Sequence, residues 1–363
     1  MIKMDFMAGV PAAGGDGVRH IVRERLIRSL LVLTPITVTA AGLFWGFRPA
    51  ALPGVGSQTP AIEREAAPSS RAFVSATGAE RMAHEASVLG SPSSMPLDQN
   101  ERVLYWVGRF TTDQRPTFQL YLDRHNRYVG LIQQDARRRG LPEELAYLAM
   151  IESGFSNHAV SHVEAVGLWQ FMGPTAQAYG LRIDEWIDER RDPYRATQAA
   201  LDYLSTLYER YGSWYLAAAA YNAGPARVDQ ALLEHFGRRF ELDRLRAQPR
   251  SVDGLDLYWQ IIDRLPFETR HHVPRMIAAT LLARNPERYG FRRSSLATPV
   301  QSDVVWVPAY TSLWRVARLL SLPVALLYEL NPQLVAGVTP PAQVYGLRVP
   351  KGLGTTLVQA FAQ

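Results

Sequence analysis

The sequence predicts a mainly α-helical protein that ends in a small β-α-α-β module. Three observations carry this expectation. From Arg102 to about residue 298, apolar residues recur at helical spacing between Pro and Gly punctuation. Over that stretch no alternating apolar and polar run marks a strand. After Pro299, strand signals appear in Asp303-Val304-Val305-Trp306-Val307-Pro308 and Tyr345-Gly346-Leu347-Arg348-Val349-Pro350, with short helical patterns at Ser312 to Leu320 and Pro323 to Leu330 between them.

A chain of 363 residues is long enough for two globular units with accessory segments. Hydrophobic residues at 47% and charged residues at 20% exclude a disordered chain and a polytopic membrane protein. The absence of cysteine excludes disulfides, zinc ribbons, iron–sulfur clusters, a thiol nucleophile and a lipid-modified cysteine anchor. The net charge of +5 raises nucleic acid as a partner, but its placement argues against one. Lys3 with Arg19, Arg23, Arg25, Arg28 and Arg48 against Asp5, Asp16 and Glu24 gives +3 over residues 1–48, leaving +2 for the remainder.

Residues 1–28 form a basic segment, and Ser29 to Phe47 carry no charge. As a helix the second stretch would extend roughly 28 Å, enough to reach across a hydrocarbon core. Two readings stand, a signal peptide cleaved near Thr39-Ala40-Ala41 and a retained transmembrane anchor bordered by Trp45 and Arg48. Under either, the basic flank stays cytoplasmic and everything after Arg48 is exported. Residues 48–99, rich in Pro, Ala, Ser and Gly, read as a flexible linker.

Within the helical region (100–298), Phe118 to Arg138 predicts an amphipathic helix with Leu120, Tyr121, Tyr128, Leu131 and Ile132 inward. A second opens at Leu141-Pro142-Glu143-Glu144, with Pro and carboxylates at its amino end, and stops at Glu152-Ser153-Gly154. It is apolar on nearly every face and therefore buried. Glu152 shares a face with Leu145, Leu148 and Ala149. Burial and the negative end of the helix dipole both disfavour its charged form, the condition for a proton donor near neutral pH. The bland alternative is a Glu that leans outward past the last turn or pairs with an arginine.

Downstream, Phe155 to Ser161 and Gly167-Leu168-Trp169-Gln170-Phe171-Met172-Gly173-Pro174-Thr175 bring glycine, aromatic and amide groups together, a composition suited to sugar rings. Asp192-Pro193 caps a helix with Ala200, Tyr203, Leu204, Leu207 and Tyr211 inward. In the helix from Trp214 to Tyr221, Ala217 to Ala220 permit close approach of another helix, before Asn222-Ala223-Gly224 ends it. Taken singly, Tyr221 reads as a core aromatic and Asn222 as a turn residue. His158 with His162, and His271-His272, lack a metal-ligand set, and the paired histidines read as flanking a helix start at Val273-Pro274. No metal or cofactor is expected.

Four short motifs, in order, resemble the lytic murein transglycosylases with a goose-type lysozyme-like catalytic domain, most closely the membrane-bound D type. They are Glu152-Ser153-Gly154-Phe155, Gly167-Leu168-Trp169-Gln170, Ala220-Tyr221-Asn222-Ala223-Gly224 and Glu268-Thr269-Arg270. The resemblance implies that Glu152 is the single acid/base and that Tyr221 places its hydroxyl beside it. It further implies Ser161, Gln170, Met172, Thr175, Asn222 and Glu268 at the substrate, with Ser161 near the acetamido group and Glu268 lining the cleft. The implied reaction cleaves the β-1,4 bond between N-acetylmuramic acid and N-acetylglucosamine of peptidoglycan and leaves 1,6-anhydromuramyl ends. The glycan strand is the implied partner, and the periplasmic side of the envelope the implied location.

The chain departs from this pattern in three places. It lacks the lipidated cysteine common in D-type relatives, so the anchor is residues 29–47 or there is none. Glu164 stands where many relatives have a small residue, either altering a subsite or solvated on a loop. Trp169 reads equally as core or as a sugar contact. Residues 299–353 resemble a degenerate LysM module, followed by a tail at 354–363. Ala309-Tyr310-Thr311 replaces its usual Gly-Asp turn, so the module either binds glycan or packs on the helical domain. A hydrolytic muramidase and a non-catalytic wall-binding scaffold are the rival readings.

Overall fold

The computed structural model describes residues 93–237, 257–293 and 301–362. The segments 1–28 and 29–47, and most of 48–99, lie outside these residues. Among the described residues no helix is long and apolar enough to cross a membrane.

Helix α1 (Glu101–Thr111) begins where the Asn100 side chain accepts the Val103 N–H, and it is followed by the long α2 (Arg115–Arg138). Phe118, Tyr121, Leu122, Tyr128, Ile132 and Ala136 form the buried stripe of α2, whereas Leu120 is 41% exposed. The sequence-based inward set therefore needs correction at Leu120, because the stripe is fixed by Phe118 and Leu122, which lie two residues to either side and face the core. Glu143–Leu145 form one 3₁₀ turn leading into α3 (Ala146–Ser153), in which Ala146 to Ile151 are all buried. After α4 (Gly173–Ala178) come α5 (Pro193–Tyr211), α6 (Trp214–Ala223), α7 (Pro225–Phe236), α8 (Leu257–Ile261) and α9 (Phe267–Arg284).

Helix α9 is the hub of this domain, packing against α1, α3 and α6. Ala217, Ala218, Ala219 and Ala220 of α6 are wholly buried, so small side chains let the helices close on one another. The predicted helix start at Val273-Pro274 is corrected, since α9 begins at Phe267 and Pro274 lies inside it. Proline removes the bond that the Arg270 carbonyl would have accepted. The Tyr258 hydroxyl, 3.4 Å from that oxygen, donates to it and offsets part of the cost.

The last residues of the stretch read as linker are strapped to the core. Met95 is buried, the Tyr215 hydroxyl donates to the Pro96 carbonyl at 2.7 Å, and Trp259 Nε1 donates to Asp98 Oδ2 at 2.7 Å.

The terminal module pairs β1 (Ser302–Val307) antiparallel with β2 (Tyr345–Pro350), in the register Ser302 to Pro350 and Val307 to Tyr345. Helices α10 (Leu313–Leu319) and α11 (Val324–Leu330) lie between the strands in sequence. Residues 354–362, part of the predicted tail, form helix α12 (Gly354–Ala362), with Leu357 wholly buried against the same small core.

That core is completed from the helical domain, since Ile187 is buried among Val305, Val307, Leu313, Leu347 and Val349. Around it, Asp188 N–H donates to the Gln333 carbonyl at 2.9 Å, and Trp186 meets Tyr310 edge to face at 5.6 Å. Asp192 has two duties. Its side chain caps α5 by accepting the Tyr194 and Arg195 N–H groups at 2.9 and 3.1 Å. It also pairs with Arg348 of β2 at 2.8 Å, where both side chains are largely buried and the guanidinium covers the Tyr194 ring. Asp192→Ala is expected to cost roughly 2–4 kcal/mol in urea unfolding, because the cap is lost and a buried arginine is left unpaired. Arg348→Met spares the cap and is expected to cost less in the same measurement.

Candidate active site

Glu152 sits on the last turn of α3 with 15% of its side chain exposed, enclosed yet open on one side. Two features fix it there. Gly154 ends the helix in the left-handed region at φ 59°, and a Cβ at this position would stand 2.3 Å from the Tyr121 ring. Ser153 Oγ donates to the Leu168 carbonyl at 2.8 Å and accepts the Ser156 N–H at 3.1 Å, tying the helix end to the loop that follows.

The carboxylate partner of Glu152 is His272, which the sequence reading missed. His272 Nε2 lies 2.8 Å from Glu152 Oε1, and the imidazole is 7% exposed on α9. Its Nδ1 is buried without a hydrogen-bond partner. The available signal was the position of His272 four residues after Glu268, one helical turn along the same face, hidden by placing the helix start too late.

Tyr221 is near but otherwise engaged. Its hydroxyl donates to the Trp169 carbonyl at 2.8 Å. Burial first, and then the Glu152 charge, raise the phenol well above its ordinary range, so it remains a neutral donor. Trp169 itself is wholly buried and donates Nε1–H to Thr197 Oγ1 at 3.0 Å, which resolves its two readings in favour of core. On the other side of the site, Asn222 Oδ1 accepts the Thr269 hydroxyl at 2.9 Å. Glu268 is half-buried, and burial raises its carboxyl above the usual range, with the Glu152 charge adding to the effect. Glu152, Tyr221, Asn222 and Glu268 therefore converge, together with His272.

The remaining predicted positions belong to one loop. Short bridges pair Val160 with Val166 and Val166 with Phe171. Ser161 Oγ accepts the N–H groups of Ala165 at 3.0 Å and Val163 at 3.3 Å, so this hydroxyl shapes the loop. Gln170, at φ 50°, turns its Nε2 to the Gly167 carbonyl at 2.9 Å. Met172, 43% exposed, stands at the N-cap position of α4, with Thr175 half-buried in its first turn. Glu164 is an exposed loop residue. Beneath the loop, Arg190 donates to the Glu164 carbonyl at 3.0 Å and the Phe171 carbonyl at 3.3 Å, held in turn by Asp188 at 2.9 Å. Gly167 is obligatory, since its φ is 83° and a Cβ would fall 1.9 Å from the Arg190 carbonyl.

Among the described residues no group of three His, Asp or Glu side chains is placed to hold a metal ion. The chemistry available is proton transfer by one enclosed carboxyl group, within a frame of polar groups and a loop built of tight turns.

Comparison with known proteins finds likenesses in two segments. Residues 130–242 match the transglycosylase SLT domain, and residues 301–363 match the LysM-like domain of lytic transglycosylase MltD. Over 205 residues the chain is 31% identical to membrane-bound lytic murein transglycosylase D of Escherichia coli K12, covering 56% of this chain and 42% of that protein. It is 36% identical over 114 residues to peptidoglycan transglycosylase gp16 of Escherichia phage T7, covering 31% of this chain and 9% of that protein. Among solved structures, the 70 kDa soluble lytic transglycosylase of Escherichia coli is similar over 61% of this chain and 41% of that one, at 20% identity and a TM-score of 0.35. The chain thus spans less than half the length of these relatives. Its two matched segments are similar to a lytic transglycosylase domain and to the LysM-like domain of an MltD-type relative.

Two outcomes follow from the site geometry. Gly154→Ala is expected to destabilise the fold by at least about 2 kcal/mol in urea unfolding, since a left-handed residue and a clash coincide. The raised carboxyl of Glu268 contributes stability that is fully present below its ordinary value of 4.5 and is lost as pH rises through its folded value. Glu268→Gln should remove that step, so the variant's unfolding midpoint falls less than the parent's between acid and neutral pH.

Proposed function

We propose that this protein cleaves the β-1,4 bond between N-acetylmuramic acid and N-acetylglucosamine in peptidoglycan as a lytic transglycosylase, remodelling the cell wall. The observation that carries the reading is a single enclosed carboxyl group, Glu152, at the end of a buried helix inside the matched SLT domain. Glycosidases that use two carboxylates hold them at a set separation across the bond. Here Glu152 gives its proton to the leaving glycosidic oxygen, which departs with the electron pair of its bond to C1. The substrate acetamido carbonyl stabilises C1, supported by the Ser161 loop. Glu152, now ionised, takes the proton of the muramic acid O6 hydroxyl as O6 bonds to C1, so protons balance and no water is consumed.

Other residues shape and hold the cleft. Tyr221 braces the loop through Trp169, Asn222 and Glu268 line the side made by α6 and α9, and Gln170, Met172 and Thr175 present polar and thioether groups to the sugar. The module from 301 onward packs on the helical domain through Ile187 and Asp192, which supports a structural role in holding the 186–192 segment. We place the protein on the periplasmic side of the envelope, held or exported by residues 29–47, in keeping with the name of the membrane-bound D relative.

Digestion of purified murein followed by mass spectrometry separates this reaction from hydrolysis, because anhydro ends are lighter than reducing ends by one water. Glu152→Gln is expected to lower the yield of anhydro ends by at least about 1000-fold while leaving the unfolding midpoint near the parent's. Anhydro ends formed at the parent rate by that variant would overturn the assignment, and reducing ends from the parent would identify a hydrolytic muramidase.

A further inference from the structure

We propose that His272 is the positioning residue of the reaction, a neutral imidazole that donates its Nε2–H to Glu152 Oε1 and leaves Oε2 to carry the transferred proton. This rests on the lytic transglycosylase reading. The contact is 2.8 Å, between side chains that are 7% and 15% exposed, so it is formed within the protein and not on its surface.

The hydrogen-bond network assigns the tautomer. Nδ1 is buried and faces no partner. A proton there, in the other neutral tautomer or in an imidazolium, would be an unpaired buried N–H. A bare Nδ1 leaves only an idle lone pair. With Nε2 protonated, Oε1 accepts in both states of Glu152, so the carboxyl proton resides on Oε2. When Oε2 gives that proton to the leaving oxygen, negative charge develops on the carboxylate and the bond from His272 becomes charge-assisted and stronger. The donor is already in place, so nothing must reorganise as the charge appears. The same bond holds the carboxylate oriented until Oε2 takes the O6 proton.

Charged and polar groups face the ring from each element packed against it. Glu152 faces it from α3, with Tyr221 behind on α6. On α9 itself, Glu268 lies one turn before and Arg275 one turn after, Arg275 being turned toward Trp106 of α1. His271 faces away, accepting the Trp106 Nε1–H at 3.3 Å, with Arg102 and Arg109 of α1 near it.

The test compares His272→Phe, which lacks a donor, with His272→Gln, whose amide can still donate to Oε1, by the rate of anhydro-end formation. His272→Phe is expected to lower kcat about 100-fold with KM within about twofold of the parent. His272→Gln should stay within about tenfold of the parent, the amide restoring the donor. Parent-like kcat in His272→Phe, or an equal loss in both variants, would overturn the proposal. If either variant fails to fold, nitrogen NMR of the parent decides: a Nε2-protonated neutral His272 at pH 7 supports the assignment, and an imidazolium or a Nδ1-protonated ring sinks it. Glu152→Gln runs alongside. An active Glu152→Gln removes the underlying reaction, whereas an inactive one beside an unaffected His272→Phe removes only the role of His272.

Discussion

Holding an ionisable carboxyl group at the end of a buried helix is the constraint around which the helical domain is built. Glu152 is only 15% exposed, and the helix that carries it stops at Gly154, where the Tyr121 ring leaves no room for a side chain. It cannot sit unpaired in apolar surroundings, since an isolated buried charge is far more costly than a paired one. The solution is the crossing of α3 by α9, which delivers His272 to Glu152. That crossing requires slim neighbours, supplied by the alanine run of α6, and a long α9 that runs on through Pro274 with the Tyr258 hydroxyl on the freed carbonyl.

The loop after α3 meets a second requirement, rigidity without regular structure. Its turns are closed by Ser161 Oγ, by the Gln170 amide and by Arg190 from below, so the residues expected to touch sugar spend much of their hydrogen bonding on the loop itself. Arg190 belongs to the segment that also carries Ile187, Asp188 and Asp192, which the terminal module grips. A continuous path of contacts therefore runs from β2, through Arg348 and Asp192, to the floor of the loop. The Ala309-Tyr310-Thr311 turn fits this picture, because Tyr310 meets Trp186 of the helical domain.

Local patterns in the sequence were sufficient for the elements. The Asp192 cap, the buried stripe of α5, the stop at Gly154 and the order β1, α10, α11, β2 all follow from punctuation and periodicity, which act within a few residues. Where reading fails, the cause is nonlocal. Leu120 is exposed although its neighbourhood is apolar, because the phase of α2 is set by what Phe118 and Leu122 meet. Pro274 reads as a boundary and is interior, because tertiary packing overrides the breaker. Residues 354–362 read as a tail and are a helix, because the core that receives Leu357 comes from β1 and α10.

By itself, then, the sequence determined that Glu152 ends a buried helix, that a glycine- and amide-rich loop follows it, and that a small β-α-α-β unit closes the chain. Each of these is written in side-chain spacing and in backbone needs of single residues. Only the tertiary structure decided which group faces the carboxylate. The motifs implied Tyr221 beside the carboxylate and left the paired histidines at a helix start, and the separation of 120 residues between Glu152 and His272 carries no local signal. The pairing depends on how α9 packs against α3, and α9 is held there by contacts with α1, α3 and α6 together.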